Sequence, residues 1–200
     1  MRVQFIKTVS DIIKKDDRVV LLLGDIGVFG FRDLLSNYSD RAYNIGILEQ
    51  STVSVSAGLA LSGLIPIVHT IAPFLVERSL EQIKVDLCYQ ELGANLVSIG
   101  GSYDYAALGC THHCPADIPT LNEIPNIEII VPGHPKEFDK LFRQCYDNNS
   151  PTYYKLGATT NAQNYNVEFG KNLIIQEKGD TVIIAIGEML GPVLEATNDL

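Results

Sequence analysis

Residues 18–24, Arg-Val-Val-Leu-Leu-Leu-Gly, form an apolar run with no polar alternation. A strand with one wet face alternates polar and apolar side chains. An unbroken run needs cover on both faces, the condition of a strand inside a parallel sheet sandwiched by helices. Similar runs recur at Ile65 to His69, Asn95 to Ile99, Asn126 to Val131 and Thr152 to Leu156, with a shorter one through Tyr43. Segments with helical spacing separate them. Phe5, Ile6, Val9, Ile12 and Ile13 mark the first, and Phe31 to Tyr38 a short second. Glu49 to Ser62 is rich in Ser, Ala and Val. Leu75, Leu80, Ile83 and Leu87 predict one helix over Phe74 to Tyr89, and Pro135 to Tyr146 predicts another. Alternating strands and helices specify an α/β fold with a doubly wound, mostly parallel sheet.

Residues 1–157 read as one such domain. Residues 158–170 contain the polar stretch Asn-Ala-Gln-Asn-Tyr-Asn and read as a linker. Residues 171–200 read as the opening of a second α/β domain, with a strand over Gly179 to Gly187 and a helix from Glu188 to Ala196. One strand and one helix cannot bury both their faces, so this second unit is incomplete. The net charge of -9 argues against nucleic acid or an anionic membrane as partner, since both require basic patches. No apolar run reaches the roughly 18 residues of a membrane span. The amphipathic start, with Asp11, is not that of a signal peptide. Cys88, Cys110, Cys114 and Cys145 follow no secreted disulfide framework. The expectation is a cytoplasmic protein with reduced thiols.

Several residues have chemistry to offer. Glu49 follows Asn-Ile-Gly-Ile-Leu at a strand-to-helix turn, beside Ile45, Ile47 and Leu48. It is either an ordinary first-turn glutamate favoured by the helix dipole or a carboxylate enclosed by apolar groups, which retains a proton more readily. His112 and His113 lie in Gly-Cys-Thr-His-His-Cys-Pro, a loop over Ser102 to Pro115 at the C-terminal edge of the sheet, where ligands bind in open α/β folds. Cys110 and Cys114 flank them, but adjacent residues rarely point at one ion, so no metal site is assigned. His69 ends a strand and is either a structural or a site histidine. Phe74 follows Pro73 at a helix start, where an aromatic serves core or site. Asp25, in Gly-Asp-Ile-Gly, either binds a hydroxyl or caps a helix. That turn has neither the GxGxxG pattern nor a P-loop lysine.

The order of these segments carries more than any one of them. GDIG, RAYNIGILEQ, GLALSGLIPIVHTIAPFLVERSLEQI, GCTHHCP and IPNIEIIVPGHPKEF, from about residue 18 to 157, together resemble the pyrimidine-binding domain of transketolases, above all the C-terminal subunits of split, two-chain transketolases. Residues 171–200 are similar to the start of the transketolase C-terminal domain. The resemblance implies a thiamine diphosphate enzyme that transfers a two-carbon ketol unit between sugars. It implies that Glu49 bonds N1′ of the cofactor's aminopyrimidine, that Phe74 stacks on that ring with Ile47 nearby, and that His112 acts at the substrate. His113, His69 and Asp25 are implied as further substrate contacts.

Three positions depart from the transketolase pattern. Leu108 stands where an acidic residue reads a donor hydroxyl, Gly100 where a histidine stands, and Ala158 at about the place of a phosphate-gripping arginine, with Lys155 nearby in the strand. Gly24-Asp25-Ile26 also lacks the continuation of a diphosphate and Mg²⁺ motif. The resemblance therefore implies a partner chain that brings the diphosphate domain with its Mg²⁺, and pairing through pyrimidine domains into a heterotetramer. A beta subunit of a 2-oxo-acid dehydrogenase, a deoxyxylulose-phosphate-synthase-like enzyme, and a non-catalytic assembly module are the competing expectations.

Overall fold

The structure, a computed structural model, describes residues 1–177 and 179–197. Its elements in chain order are α1 (Arg2–Ile13), β1 (Val19–Leu23), α2 (Arg32–Asn37), β2 (Ala42–Asn44), α3 (Glu49–Leu61), β3 (Ile65–Ile71), α4 (Ala72–Leu75), α5 (Leu80–Gln82), β4 (Ala94–Ile99), α6 (Asp117–Asn122), β5 (Glu128–Ile130), α7 (Pro135–Cys145), β6 (Pro151–Leu156) and α8 (Leu190–Thr197). The six strands form one parallel sheet in the order β2-β1-β3-β4-β6-β5.

The apolar run in β1 is explained by its two faces. Val19, Leu21 and Leu23 enter a core shared with Phe5, Val9 and Ile13 of α1 and with Phe138 and Phe142 of α7. Val20 and Leu22 enter a second core with Val53 and Ala57 of α3 and with Ile83 and Leu87. Tyr153 and Tyr154 of β6 divide in the same way, one to each core. A polar residue at any of these five β1 positions would be stranded away from water.

The structure corrects the expectation of one helix from Phe74 to Tyr89. α4 ends at Leu75, and α5 begins at Leu80 and runs directly into a π-helical turn, Ile83–Cys88. Leu75 and Leu80 are five residues apart, a spacing that a helix of 3.6 residues per turn does not bring onto one stripe. The break lies at Val76 to Ser79, where the Ser79 hydroxyl donates to the Phe74 carbonyl at 3.2 Å. α6 carried no sequence signal: it is short and contains Pro119.

The strand expected over Gly179 to Gly187 is also corrected, because these residues form no strand. A strand needs a neighbour to satisfy its N–H and C=O groups. No described strand offers one, and Val182 and Ile184 stay more than four-fifths exposed. Residues 178 and 198–200 of the expected second domain lie outside the described residues. After β6 the chain is tied to the sheet domain at Asn161, whose backbone N–H donates to the Gly133 carbonyl at 2.8 Å; its side chain in turn holds the later segment, Nδ2 donating to the Gly187 carbonyl at 3.0 Å and Oδ1 accepting from Gly191 N at 3.1 Å.

Leu21 is fully buried in the first core. Leu21→Ala is expected to lower the unfolding free energy by about 3 kcal/mol, read from the urea midpoint at unchanged slope.

Candidate active site

The direction in which the sheet is wound reverses at β1, which has its successors β2 and β3 on opposite sides. In α/β sheets the crevice above the strand ends at such a reversal is where ligands bind. Gly24 and Asp25 leave β1 there, and Thr70 stands near the end of β3. A Cβ at Gly24 would lie 2.8 Å from the Thr70 side chain, so glycine allows the two strands' ends this close approach. Asp25 is exposed with φ +58°, and its carboxylate accepts from Asn44 Nδ2 at 3.0 Å.

Glu49 opens α3 and is 2% exposed. Its Oε2 accepts from Arg78 Nη1 at 2.6 Å, and its Oε1 lies 3.5 Å from the Thr70 hydroxyl. An ionised carboxylate this deep needs a partner, and Arg78 supplies one. Arg78 follows α4 in the broken segment. Its guanidinium carbon stands 4.2 Å above the centroid of the Phe74 ring, a cation–π contact. The same ring meets His112 edge-on at 5.2 Å. Glu49, Arg78, Phe74 and His112 thus form one continuous cluster, joined by Tyr105, whose ring is 6.4 Å from that of His112.

The loop bearing the histidines is pinned at both ends. Ser102 and Cys114 form an antiparallel bridge. Beneath it Lys155 Nζ donates to Asp117 Oδ1 and to Ser102 Oγ, both at 2.9 Å, and the Tyr153 hydroxyl donates to Asp117 Oδ2 at 3.0 Å. Burial, with Asp117 nearby, pushes the Tyr153 hydroxyl well above its ordinary pKa, so it remains a donor. Burial also raises the Cys114 thiol to about 12, and it donates to Glu77 at 3.5 Å. His112 Nδ1 pairs with the Thr111 hydroxyl at 2.9 Å; His113 Nε2 lies 3.3 Å from the Ala106 carbonyl, with its ring 5.1 Å from Tyr103. Among the described residues no three His, Cys, Asp or Glu side chains are grouped to hold a metal ion, and no helix is long and apolar enough to cross a membrane.

The structure therefore brings Glu49, Phe74, His112 and His113 to one edge of the sheet. Ile47 is 65% exposed on the approach to α3. His69 is a correction. It lies within β3, two residues short of its end, and is fully buried against Phe5 at 4.5 Å, with Nδ1 on the Val97 carbonyl at 2.9 Å. Enclosed by the first core, it takes the structural one of its two readings in this chain. Its Nε2 has no hydrogen-bond partner. Burial lowers its pKa to about 4. The residues that sequence reasoning missed are Arg78, Thr70, Tyr105 and Asp117; only the order of the flanking motifs drew attention to their segments.

The departure at Gly100 has a structural cause, and Lys155, near the departure at Ala158, is already engaged. Gly100 has φ +69°, and a Cβ there would lie 2.5 Å from the Tyr105 ring, so Tyr105 fills that space. The Lys155 ammonium is committed to Asp117 and Ser102. At Ala158 the backbone N–H donates to Asp104 at 3.1 Å.

An unfolded histidine titrates near 6.5 and this one near 4. Between those values the unfolded chain binds the extra proton. Stability contributed by neutral His69 is thus fully present above pH 6.5 and is lost as pH falls toward 4, by about 3 kcal/mol in total. His69→Gln is expected to flatten that part of the stability profile, measured by urea unfolding from pH 4.5 to 7.

Comparison with known proteins places the fold in a family. Residues 1–156 match the family model "Transketolase, pyrimidine binding domain". An uncharacterised 33.6 kDa protein of the fasciation locus of Rhodococcoides fascians is 38% identical over 193 residues, 96% of this chain and 62% of that protein. A subunit of the apulose-4-phosphate transketolase of Phocaeicola vulgatus is 34% identical over 193 residues, 94% of this chain and 62% of that polypeptide. A solved split-gene transketolase, described as an inactive beta4 tetramer, superposes with a TM-score of 0.86 over 99% of this chain and 65% of its own, at 24% identity. The chain spans a little over three-fifths of the length of these relatives. It belongs to the family of transketolase pyrimidine-binding domains.

Proposed function

We propose that this chain supplies the pyrimidine-binding half of a thiamine-diphosphate site in a transketolase-like transferase, moving a two-carbon ketol unit between sugars. The observation that carries the reading is a deeply buried Glu49 at the start of α3, in one cluster with Phe74 and the His112 loop. The similar polypeptide from Phocaeicola vulgatus, one subunit of a transketolase, aligns along nearly the whole chain.

The residues present fit the cofactor's aminopyrimidine. A dry carboxylate suits a ring nitrogen that must share a proton, and an aromatic face lies beside it. When bound, thiamine diphosphate supplies a thiazolium that stores the electron pair of the transferred unit. Glu49 holds a proton at the ring nitrogen, Phe74 stacks on the ring, and Ile47 borders it. His112 and His113 face the substrate from the pinned loop, and Asp25 stands at the β1 edge to receive a hydroxyl. The Lys155–Asp117 pair keeps that loop in place without touching substrate.

A partner chain carries the diphosphate domain and Mg²⁺ in this reading. Exposed apolar residues support such an assembly: Ile47 and Leu48 just before α3, Val55 and Leu61 on it, and Val85 and Tyr89 at the π-helical turn packed against it. Pyrimidine domains pairing across this surface would give a heterotetramer. Residues 158–170 then serve as the linker to a C-terminal domain opened by residues 171–200, and the site of action is the cytoplasm.

Calorimetric titration of thiamine diphosphate with Mg²⁺ tests the reading. Binding is expected in the mixture with the diphosphate-domain protein and not with this chain alone. Glu49→Ala is expected to lower ketol transfer by about 10²–10⁴-fold while changing affinity far less. Equal binding by the isolated chain, or full turnover in Glu49→Ala, would contradict it.

A further inference from the structure

Arg78 makes the two contacts that the proposed ring would make. Its guanidinium is planar, lies 4.2 Å above the Phe74 centroid and gives a hydrogen bond of 2.6 Å to Glu49 Oε2. A heteroaromatic ring stacked on that face and bonded to Glu49 would meet the same aromatic surface and the same oxygen. A ring on that same face and that same oxygen would have to displace Arg78. We infer that Arg78 is a resident stand-in for the cofactor's pyrimidine, a latch that closes the ring site in the free chain and swings out when the ring enters. This inference rests on the proposed thiamine-diphosphate reading.

Three features make the latch workable. The Arg78 side chain is 36% exposed, so its outward path leads to water, whereas Glu49 is 2% exposed and stays put. Arg78 belongs to the break between α4 and α5 rather than to a helix interior; its backbone N–H donates to the Pro73 carbonyl at 3.1 Å, so the movement required is of the side chain alone. Removal of the guanidinium also changes the electrostatics of Glu49. With Arg78 in place the buried carboxylate has its counter-charge. With Arg78 displaced it is left facing the ring nitrogen, with Thr70 as its neighbour at 3.5 Å. Entry of the ring and release of a carboxylate to share a proton with it become one event, which keeps the site inert until it is filled.

The test compares the wild-type protein with Arg78→Gln, which keeps a hydrogen-bond donor for Glu49, and Arg78→Lys, which keeps the charge without a planar group. Thiamine diphosphate with Mg²⁺ is titrated into each variant in complex with the diphosphate-domain partner and followed by calorimetry. Carbon-13 NMR of the Glu49 carboxyl provides a second readout that needs no turnover. Loss of one half-exposed ion pair and one cation–π contact as competitors is expected to tighten binding by about tenfold in Arg78→Gln. Arg78→Lys is expected to fall between that variant and wild type. Addition of the cofactor should shift the Glu49 carboxyl resonance in wild type as its arginine partner leaves. If wild type binds and both variants bind no tighter, the latch is overturned and the thiamine reading survives. If no variant binds, both are overturned.

Discussion

A carboxylate that is 2% exposed needs a counter-charge or a proton, and much of the local architecture answers that need at Glu49. The residue begins α3, where free backbone N–H groups face a negative charge. Thr70 approaches because Gly24 has no side chain to hold the β3 end away. Arg78 reaches back from the interrupted α4–α5 segment. The π-helical turn that follows the interruption absorbs a shift in helical register while Ile83 and Leu87 remain in the core; such turns often accompany functional sites. A straight helix from Phe74 onward would be the simpler use of this sequence, and it is not the one adopted.

The second organising interaction lies beneath the histidine loop. Asp117 is 1% exposed and receives both the Lys155 ammonium and the Tyr153 hydroxyl, while Lys155 also reaches Ser102. One buried ion pair thus joins β6, the start of α6 and the beginning of the loop. Lys155 is therefore unavailable as a replacement for the phosphate-gripping arginine missing at Ala158. With Tyr105 filling the space at Gly100, this edge of the candidate site differs from the transketolase pattern in shape as well as charge.

The sheet was legible because its evidence is local. Five consecutive apolar residues at 19–23 demand two covered faces, and the two cores supply them. Glu49, Phe74 and the histidine loop stood out as candidates only through the order of their motifs, since each alone has an ordinary structural explanation. Arg78 was not legible: an arginine four residues after an aromatic reads as a solvated helix position, and its contact with Glu49 spans 29 residues of sequence. His69 differs from its sequence reading because a histidine near a strand's end suggests an edge, whereas β3 continues to Ile71 and is covered on both sides. The Gly179 to Gly187 run has the composition of a strand but no described neighbour to pair with. Composition identifies what a segment can bury and leaves open what lies beside it.

The central claim is that the ring site is the Glu49–Phe74 cluster at the reversal of the sheet. Hydrogen–deuterium exchange of the chain with its diphosphate-domain partner, with and without thiamine diphosphate and Mg²⁺, tests it most directly. The account predicts added protection on cofactor binding at residues 46–52 and 70–79, with little change in α1 and α7 on the opposite face. Cofactor-dependent protection confined to other segments, with these two unchanged, would contradict it.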